Sequence, residues 1–264
     1  ENILDFLLGL KLFPLIDGEG VENHILGDFK DNFSTIYGQE VEKWLDFNLD
    51  DLEGEIIKED IDPSFDTMDM VPYIIHNYTN CQRRLVFNLV DEISKDTYLD
   101  NDTFFGGKGI YTNNYLNKPS YYALMLLSLL GEEVLYRDEG YIVTKSQEGY
   151  QVLIYNLGQL EAAEGQEPDT SSKEKKVSIN LSNMEEDFQI TKYDLNKNFG
   201  SSYDKWLHMG SPERIDNKHW QLLKEFVHPN ISFYYGKKSI ILNLRARVKP
   251  KGAVLFILNK VENE

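Results

Sequence analysis

Residues 104–123 read FFGGKGIYTNNYLNKPSYYA and combine a glycine-rich turn with the start of a helix. The GGKG run predicts a tight turn after a strand, because glycine adopts backbone conformations that other residues avoid. It lacks the Walker spacing of a phosphate-binding loop, so it does not indicate a nucleotide site. Pro119 suits the first turn of a helix running to about residue 130, and Gly131 suits its C-terminal cap. Apolar residues nearly surround this helix, which predicts burial between two layers.

Length, charge and cysteine content exclude several classes of protein. The 264 residues carry a net charge of −17, and most of the excess acid lies in residues 1–118. Such a surface disfavours nucleic acid and anionic membranes as partners, because both are bound through Lys and Arg. The longest apolar stretch, residues 121–130, is shorter than the ~20 residues of a membrane span. The single cysteine, Cys81, excludes an internal disulfide. No secretory signal is visible, so we expect a cytoplasmic protein.

Two regions differ in their secondary-structure pattern. In residues 1–131 helical and strand-like segments alternate, which is typical of βα units around a parallel sheet. The segment RLVFNLV at residues 84–90 predicts a buried strand there, and residues 66–80 predict a helix. From residue 132 to 264 short strands with glycine-containing turns follow one another, interrupted by a helix at 216–227 with Asp216 as its N-cap. This pattern predicts an antiparallel β-sandwich, so the fold class is α/β plus β.

Several segments resemble glycoside hydrolase family 39, whose members include β-xylosidases and α-iduronidases. Residues 104–123 are similar to the family's stretch after the last barrel strand, where a Phe-x-Gly-Gly-x-Gly run leads to Lys-Pro-Ser and the final barrel helix. Residues 194–212 resemble a second family segment, with Gly200, Ser201, Trp206, Met209, Gly210 and Pro212 in place. The resemblance implies a (β/α)8 barrel followed by an antiparallel β-sandwich. Residues 1–131 are fewer than the roughly 200 that a complete barrel needs, so the barrel is partial or degenerate.

The resemblance also implies where catalytic groups should lie. A retaining glycosidase needs one carboxyl group that protonates the leaving oxygen and a second that attacks the anomeric carbon. The family's acid/base glutamate belongs to an Asn-Glu-Pro motif, and the matching place here reads Asp50-Asp51-Leu52. Asp51 keeps a carboxylate at the catalytic acid/base position but is one methylene shorter, and catalytic geometry tolerates only about 0.5 Å of misplacement. No strand with a Thr-Glu pair follows for the nucleophile. The sequence therefore favours a protein without glycosidase activity.

Acidic residues at the ends of predicted barrel strands are the candidate ligand-binding groups. Asp17, Asp50, Asp91 and Glu92 follow such segments, and β/α barrels bind ligands at the C-terminal ends of their strands. Asp91 and Glu92 also resemble an acidic pair that shapes the sugar pocket in the family. Carboxylates suit sugar hydroxyls because each accepts several hydrogen bonds. The alternative, that these acids simply face solvent, stays open. The five histidines show no metal-ligand spacing, so we expect no metal, and we expect no cofactor.

The pattern leaves three classes of function open. The first is a non-catalytic glycosidase-like domain that binds an effector or dimerises as part of an AraC/XylS-type transcription regulator. In that case we expect a small sugar or no ligand, no direct nucleic-acid contact, no membrane, and self-association as an option. The second is a retaining β-xylosidase of which this sequence contains only part. The third is a structural interaction domain. Intact Asn-Glu-Pro and Thr-Glu motifs elsewhere in a longer chain would favour the second.

Overall fold

The computed structural model describes residues 61–81, 87–91, 103–158 and 174–261, and the structural statements below concern these ranges. The first part comprises a 3₁₀-helix at Pro63–Asp66, helix α1 at Met70–His76 followed by a π-helical turn at Asn77–Cys81, strand β1 at Asn88–Val90, strand β2 at Gly109–Tyr111 and helix α2 at Pro119–Ser128. The continuous helix predicted over residues 66–80 is therefore divided. The division falls at Thr67, whose extended backbone ends the 3₁₀-helix.

The second part is built from antiparallel strands. They are β3 at Glu133–Asp138, β4 at Tyr141–Lys145, β5 at Gly149–Tyr155, β6 at Lys175–Met184, β7 at Phe188–Leu195, β8 at Asn230–Gly236, β9 at Ser239–Val248 and β10 at Ala253–Lys260, with helices α3 at Ser202–His208 and α4 at Asn217–Phe226. Six strands form one sheet in the order β3-β4-β5-β10-β7-β8, and β6 pairs with β9 in a second. The succession of short strands expected after residue 132 is therefore present.

Strands β1 and β2 form a parallel pair. Asn88 lies opposite Gly109, and Val90 lies opposite Tyr111. All three residues of β2 are buried, as expected for a strand covered on both faces. The parallel pairing agrees with the βα pattern of the sequence, although strands predicted in residues 1–60 lie outside the described residues.

The six-stranded sheet has an apolar cluster on each face, because successive side chains of a strand point to opposite sides. On one face Leu153 and Leu255 pack with residues of α1 and α2. On the other face Ile154 and Phe256 pack with Leu244 and other residues of the β6–β9 sheet. The sheet is therefore the middle layer between the helical part and the two-stranded sheet.

Helix α2 is the main contact between the two parts. Pro119 occupies its first turn, as predicted, and its Tyr122, Leu124 and Leu126 are buried in the same cluster as residues of β5 and β10. The helix ends with Leu129 as C-cap, so the prediction of Gly131 as the cap is wrong. A side chain at Gly131 would instead collide with the backbone of Lys145, which explains the glycine by close approach.

Two buried tyrosines add polar contacts across this junction. The Tyr155 hydroxyl of β5 lies 3.0 Å from His76 Nδ1 at the end of α1, and Asn80 donates a hydrogen bond to the same hydroxyl. Tyr122 of α2 donates to the carbonyl oxygen of Val227. Both tyrosines are less than a tenth exposed, so each needs such a partner for its hydroxyl.

The two helices inserted between β7 and β8 begin at side-chain caps. Asp216 accepts a hydrogen bond from the His219 N–H and starts α4, as predicted. Ser201 caps α3 by accepting from the Asp204 N–H, and the Ser201 hydroxyl donates to the Asp204 carboxylate. This helix was not expected, although a serine followed three residues later by an acidic residue is an N-terminal signal.

Of the helices that the structure describes, none combines the length and apolarity that crossing a membrane requires.

Truncation of Leu126 tests the packing at the junction. Leu126 is fully buried between the two parts, so Leu126→Ala should lower the free energy of unfolding by about 2–5 kcal/mol. Leu222→Ala, on the exposed side of α4, is the control and should cost less than about 1 kcal/mol. Urea unfolding of both variants measures the difference. Equal losses of unfolding free energy in the two variants would show that Leu126 of α2 does not pack between the two parts.

Candidate functional site

A buried ion cluster lies at the C-terminal end of β1. Asp91 follows β1 directly, Asp66 ends the 3₁₀-helix, and Lys118 precedes α2. The three residues are distant in sequence. The pairing of β1 with β2 brings Asp91 to the glycine turn, and the Lys118 N–H donates to the carbonyl of Ile110 in β2. The Asp62 N–H donates to the Gly106 carbonyl, which holds the 3₁₀-helix of Asp66 at the same turn. We refer to Asp66, Lys118 and Asp91 as the ion cluster.

The ammonium group of Lys118 is held between the two carboxylates. Its Nζ lies 2.7 Å from Asp66 Oδ1, and 3.1 and 2.9 Å from Asp91 Oδ1 and Oδ2. A third partner is the carbonyl oxygen of Gly107, at 2.6 Å. The side chains of Lys118 and Asp91 are 0% exposed, and that of Asp66 is 2% exposed. All of these charges are therefore closed to solvent.

The carboxylates also fix the glycine turn. The Gly106 N–H donates to Asp66 Oδ2 and the Gly109 N–H donates to Asp91 Oδ1, both at 2.6 Å. Gly106 has a φ of +79°, a conformation that favours glycine. A side chain at Gly107 would lie 2.6 Å from Asp91 Oδ1. The glycines therefore form a tight turn, as predicted, which lies directly before β2, and they let the backbone approach the ion cluster.

The electrostatics of the ion cluster favour uptake of a proton. With all three groups ionised it carries one excess negative charge in a medium that disfavours charge. Burial raises the pKa of Asp91 to about 6, although Lys118 and the Gly109 N–H act in the opposite direction. Burial also raises the pKa of Asp66. Desolvation thus outweighs attraction to the single cation.

Aromatic side chains close off the surroundings of the turn. Phe104 packs against Tyr203 and Trp206 of α3, with ring centroids 5.7 and 5.3 Å away. Trp206 is 9% exposed and its indole N–H donates to the Pro212 carbonyl at 3.0 Å. Trp206 therefore serves packing here and presents no open ring face for a sugar.

Only one of the predicted site residues lies in the part of the chain that the structure describes. Asp91 lies at the strand end as predicted, but its carboxylate is bound to Lys118 and the turn. Asp17, Asp50, Asp51 and Glu92 lie outside the described residues. Asp66 and Lys118 were missed, since an aspartate after a proline turn and a lysine before Pro119 are common surface patterns. Among the described residues no group of three or more His, Cys, Asp or Glu side chains is arranged to hold a metal ion.

Removal of the central cation tests the ion cluster. Lys118→Met leaves two buried carboxylates without their partner and should cost about 3–5 kcal/mol of unfolding free energy at pH 7. The loss should be smaller at pH 5, where the carboxylates take up protons. Lys145→Met removes a half-exposed lysine 4.0 Å from Glu133 and should cost less than about 1 kcal/mol. Urea unfolding at both pH values measures these losses. A loss for Lys118→Met that does not depend on pH would contradict the role of Lys118 as the partner of two buried carboxylates.

The raised pKa of Asp91 predicts a pH dependence of stability. The folded state binds this proton more tightly than the unfolded state, whose reference pKa is 3.8. The contribution to stability is therefore full below pH 4 and is lost as the pH rises through about 6. Asp91→Asn should reduce the slope of the unfolding free energy against pH between these values. Only the part of the slope that Asp66 contributes should remain. Glu139→Gln, at an exposed position, should keep the slope of the unchanged protein. Identical slopes for Asp91→Asn and the unchanged protein would refute the assignment.

Comparison with known proteins supplies the family. The sequence model of glycosyl hydrolases family 39 matches residues 61–236, more than half of the chain. A beta-xylosidase of Geobacillus stearothermophilus is 30% identical over 110 residues, which are 41% of this chain and 20% of that protein. The residues matched by the family model include both segments that resemble the family in the sequence, 104–123 and 194–212.

Solved structures show the same fold. A GH39 enzyme from Xanthomonas axonopodis pv. citri matches with a TM-score of 0.63 at 14% identity, over 77% of this chain and 43% of that one. A monomeric beta-xylosidase from Caulobacter crescentus CB15 matches with a TM-score of 0.61 at 15% identity, over 78% and 44%. The chain thus spans less than half the length of these structures. By its sequence match and its fold, the chain belongs to glycosyl hydrolases family 39.

Proposed function

We propose that this chain binds a xylose-type saccharide at the C-terminal ends of its barrel strands and does not hydrolyse glycosides. The observation that carries the proposal is the state of the ion cluster. It occupies the end of β1, where a β/α barrel gathers its functional groups, yet both of its carboxylates are committed to Lys118 and to backbone N–H groups.

Such carboxylates do not suit retaining hydrolysis. The reaction needs two carboxyl groups about 5–5.5 Å apart that face the glycosidic bond from both sides. Asp66 and Asp91 face the same ammonium group and are closed to solvent, so a sugar ring does not reach them. The resemblance in the sequence implies, in addition, that Asp51 replaces the family's acid/base glutamate. The proposal therefore assigns catalysis to neither set of acids.

The ion cluster suits a different task, which is to hold a binding surface in place. A binding site needs side chains that are locked by packing and by a supporting layer of hydrogen bonds. Asp91 fixes the glycine turn beside β2, and Glu92 is the next residue along the chain. In this proposal Asp91 is a positioning residue. Direct sugar contacts come from Asp17, Asp50 and Glu92, which the sequence assigns to strand ends.

The biological setting that we propose is effector binding or dimerisation within a transcription regulator. The altered acid/base motif supports it, and the acidic character of residues 1–118 means that contact with nucleic acid is not assigned to this chain. The second candidate is a retaining β-xylosidase, favoured by the 30% identity to the beta-xylosidase of Geobacillus stearothermophilus. The two candidates differ in turnover, so one assay separates them.

The assay uses the full-length protein and an aryl β-xyloside. We expect no turnover above background, since the loss of one acid or base alone removes about 10²–10⁴-fold of rate. A turnover number within the usual range of about 1–10³ s⁻¹ would establish the xylosidase instead.

Binding is measured separately by titration calorimetry with xylose and xylobiose. We expect heat of binding at millimolar sugar, and at least about tenfold weaker binding for Asp17→Asn or Asp50→Asn, because each removes charge-assisted hydrogen bonds. Asp138→Asn, at an exposed position on β3, is the control and should bind like the unchanged protein. Absence of heat with both sugars would reject saccharide binding at the strand ends.

A further inference from the structure

Strand β8 forms one edge of the six-stranded sheet. Among the strands that the structure describes it pairs with β7 alone, and its other side meets none of them. In an antiparallel ladder every second residue of an edge strand directs its N–H and C=O groups away from its partner. Such groups are a template to which a further strand can add. We call this side of Asn230–Gly236 the β8 edge.

The β8 edge lacks the features that usually prevent such pairing, which are charged side chains, proline and β-bulges. The strand reads NISFYYG, without charge or proline, and its register with β7 runs without a shift. The opposite edge of the same sheet, β3, carries Glu133, Arg137 and Asp138. Its register with β4 also shifts between Val134 and Tyr136. Of the two edges of this sheet, β8 is thus the one open to pairing.

Large apolar side chains of β8 face solvent on both sides of the strand. Ile231, Phe233 and Tyr235 share one face, because alternate residues of a strand point the same way. They are 45%, 68% and 58% exposed. Tyr234 points to the other face and is 52% exposed. An edge strand of this composition exposes apolar surface together with its free backbone groups.

The apolar surface continues onto the start of β9. A side chain at Gly236 would come 3.4 Å from Leu242 Cδ1, so this part of β9 lies beside the end of β8. Ile240 and Ile241 precede Leu242 and are 82% and 58% exposed. With about 200 Å² for a large side chain, these two residues and the four of β8 expose an area on the order of 700 Å². Each partner in a standard interface contributes about 800 Å².

The sequence of β8 is complementary to itself. Two copies can pair antiparallel about a twofold axis at Phe233, and this register uses all seven residues of the strand. The pairs are Asn230 with Gly236, Ile231 with Tyr235, Ser232 with Tyr234, and Phe233 with its own copy. Aromatic and β-branched side chains that lie opposite each other stabilise antiparallel strands. The strand contains no charge, so no like charges oppose each other within it.

The distribution of charge permits two copies to meet at this place. The chain has a net charge of −17, but residues 119–264, which include β8, hold 20 acidic and 18 basic residues. The excess of acid lies in residues 1–118. Contact through the β8 edge therefore brings together the parts of two copies that repel each other least.

Hydrogen bonds fix the end of β8 before any partner binds. The Tyr235 hydroxyl donates to Asp187 Oδ2 at 2.6 Å, and the Lys238 N–H donates to Asp187 Oδ1 at 2.8 Å. Asp187 thus connects the start of β7 with the end of β8. A strand that is already ordered loses less conformational freedom when it associates.

We propose that two copies of this chain associate through the β8 edge, so that their six-stranded sheets join into one continuous sheet across a twofold axis. Because the same surface is used on both copies, the assembly closes as a dimer. The proposal rests on the part of the proposed function that concerns dimerisation and not on the part that concerns saccharide binding.

Sedimentation equilibrium of the full-length protein, from low to high micromolar concentration, tests the proposal. We expect a monomer–dimer equilibrium that persists at about 1 M salt, where the Debye length is about 3 Å and contacts between exposed charges are screened. A protein that stays monomeric over this range would overturn the proposal. A dimer that dissociates at high salt would overturn it too, because apolar contacts and strand pairing do not depend on ionic attraction.

Variants assign the contact to the β8 edge. Phe233→Lys places like charges opposite each other at the twofold axis and should raise the dimer dissociation constant on the order of thirtyfold or more. Ile231→Lys provides a second position. Leu135→Lys, at a 46% exposed position on β3, introduces the same charge at the other edge and should dimerise like the unchanged protein. Thermal unfolding confirms that each variant is folded. Dimers that persist unchanged in both β8 variants would reject the proposal.

Titration calorimetry with xylose separates this inference from the saccharide site. Phe233→Lys should bind xylose like the unchanged protein, because none of the residues assigned to sugar contact lies on β8. Sugar binding by a protein that does not self-associate would reject the dimer and retain the saccharide site. Self-association through β8 without sugar binding would support the dimer and reject the saccharide site.

Discussion

The arrangement of this protein depends on the burial of one ammonium group between two carboxylates. Lys118 contacts Asp66 and Asp91 while all three side chains are closed to solvent. Moving such ions out of water costs several kcal/mol each, and this cost is offset only where the remaining lone pairs and protons also find partners. Here the Gly106 and Gly109 N–H groups and the Gly107 carbonyl are such partners, while Asp66 Oδ1 has only its ionic contact with Lys118. The ion cluster therefore specifies one arrangement of the turn, because any other leaves a buried charge unpaired.

The position of the helix between the two parts follows from the same contact. Pro119 begins α2 immediately after Lys118, so the ion cluster determines where the helix starts relative to β1 and β2. Along the helix, Leu124 and Leu126 then meet the cluster of apolar residues on the six-stranded sheet. Tyr122 extends the junction to the loop after α4 through Val227. A polar contact at one end of α2 thus sets the register of an apolar interface along its length.

The structural elements that could be predicted are those determined by residues close to them in the sequence. The antiparallel strands, the helix after Pro119 and the cap at Asp216 each depend on neighbouring residues, and they are found close to the expected positions. The contact between Asp66 and Lys118 joins residues far apart in the sequence, which local patterns do not encode. The burial of Asp91 could not be predicted for the same reason. Its place at a strand end was predictable, whereas its partner, and hence its burial, was not.

The environment of Asp91 also limits which acids can have a functional role. A carboxylate that contacts sugar hydroxyls must exchange them with water, so it has to keep an open face. A carboxylate that holds a buried ammonium has none, and opening it to a ligand would expose the charge that it neutralises. The two roles therefore exclude each other at one residue. At the end of β1 Asp91 has this structural role, so in the proposed saccharide site the direct contacts are assigned to other side chains.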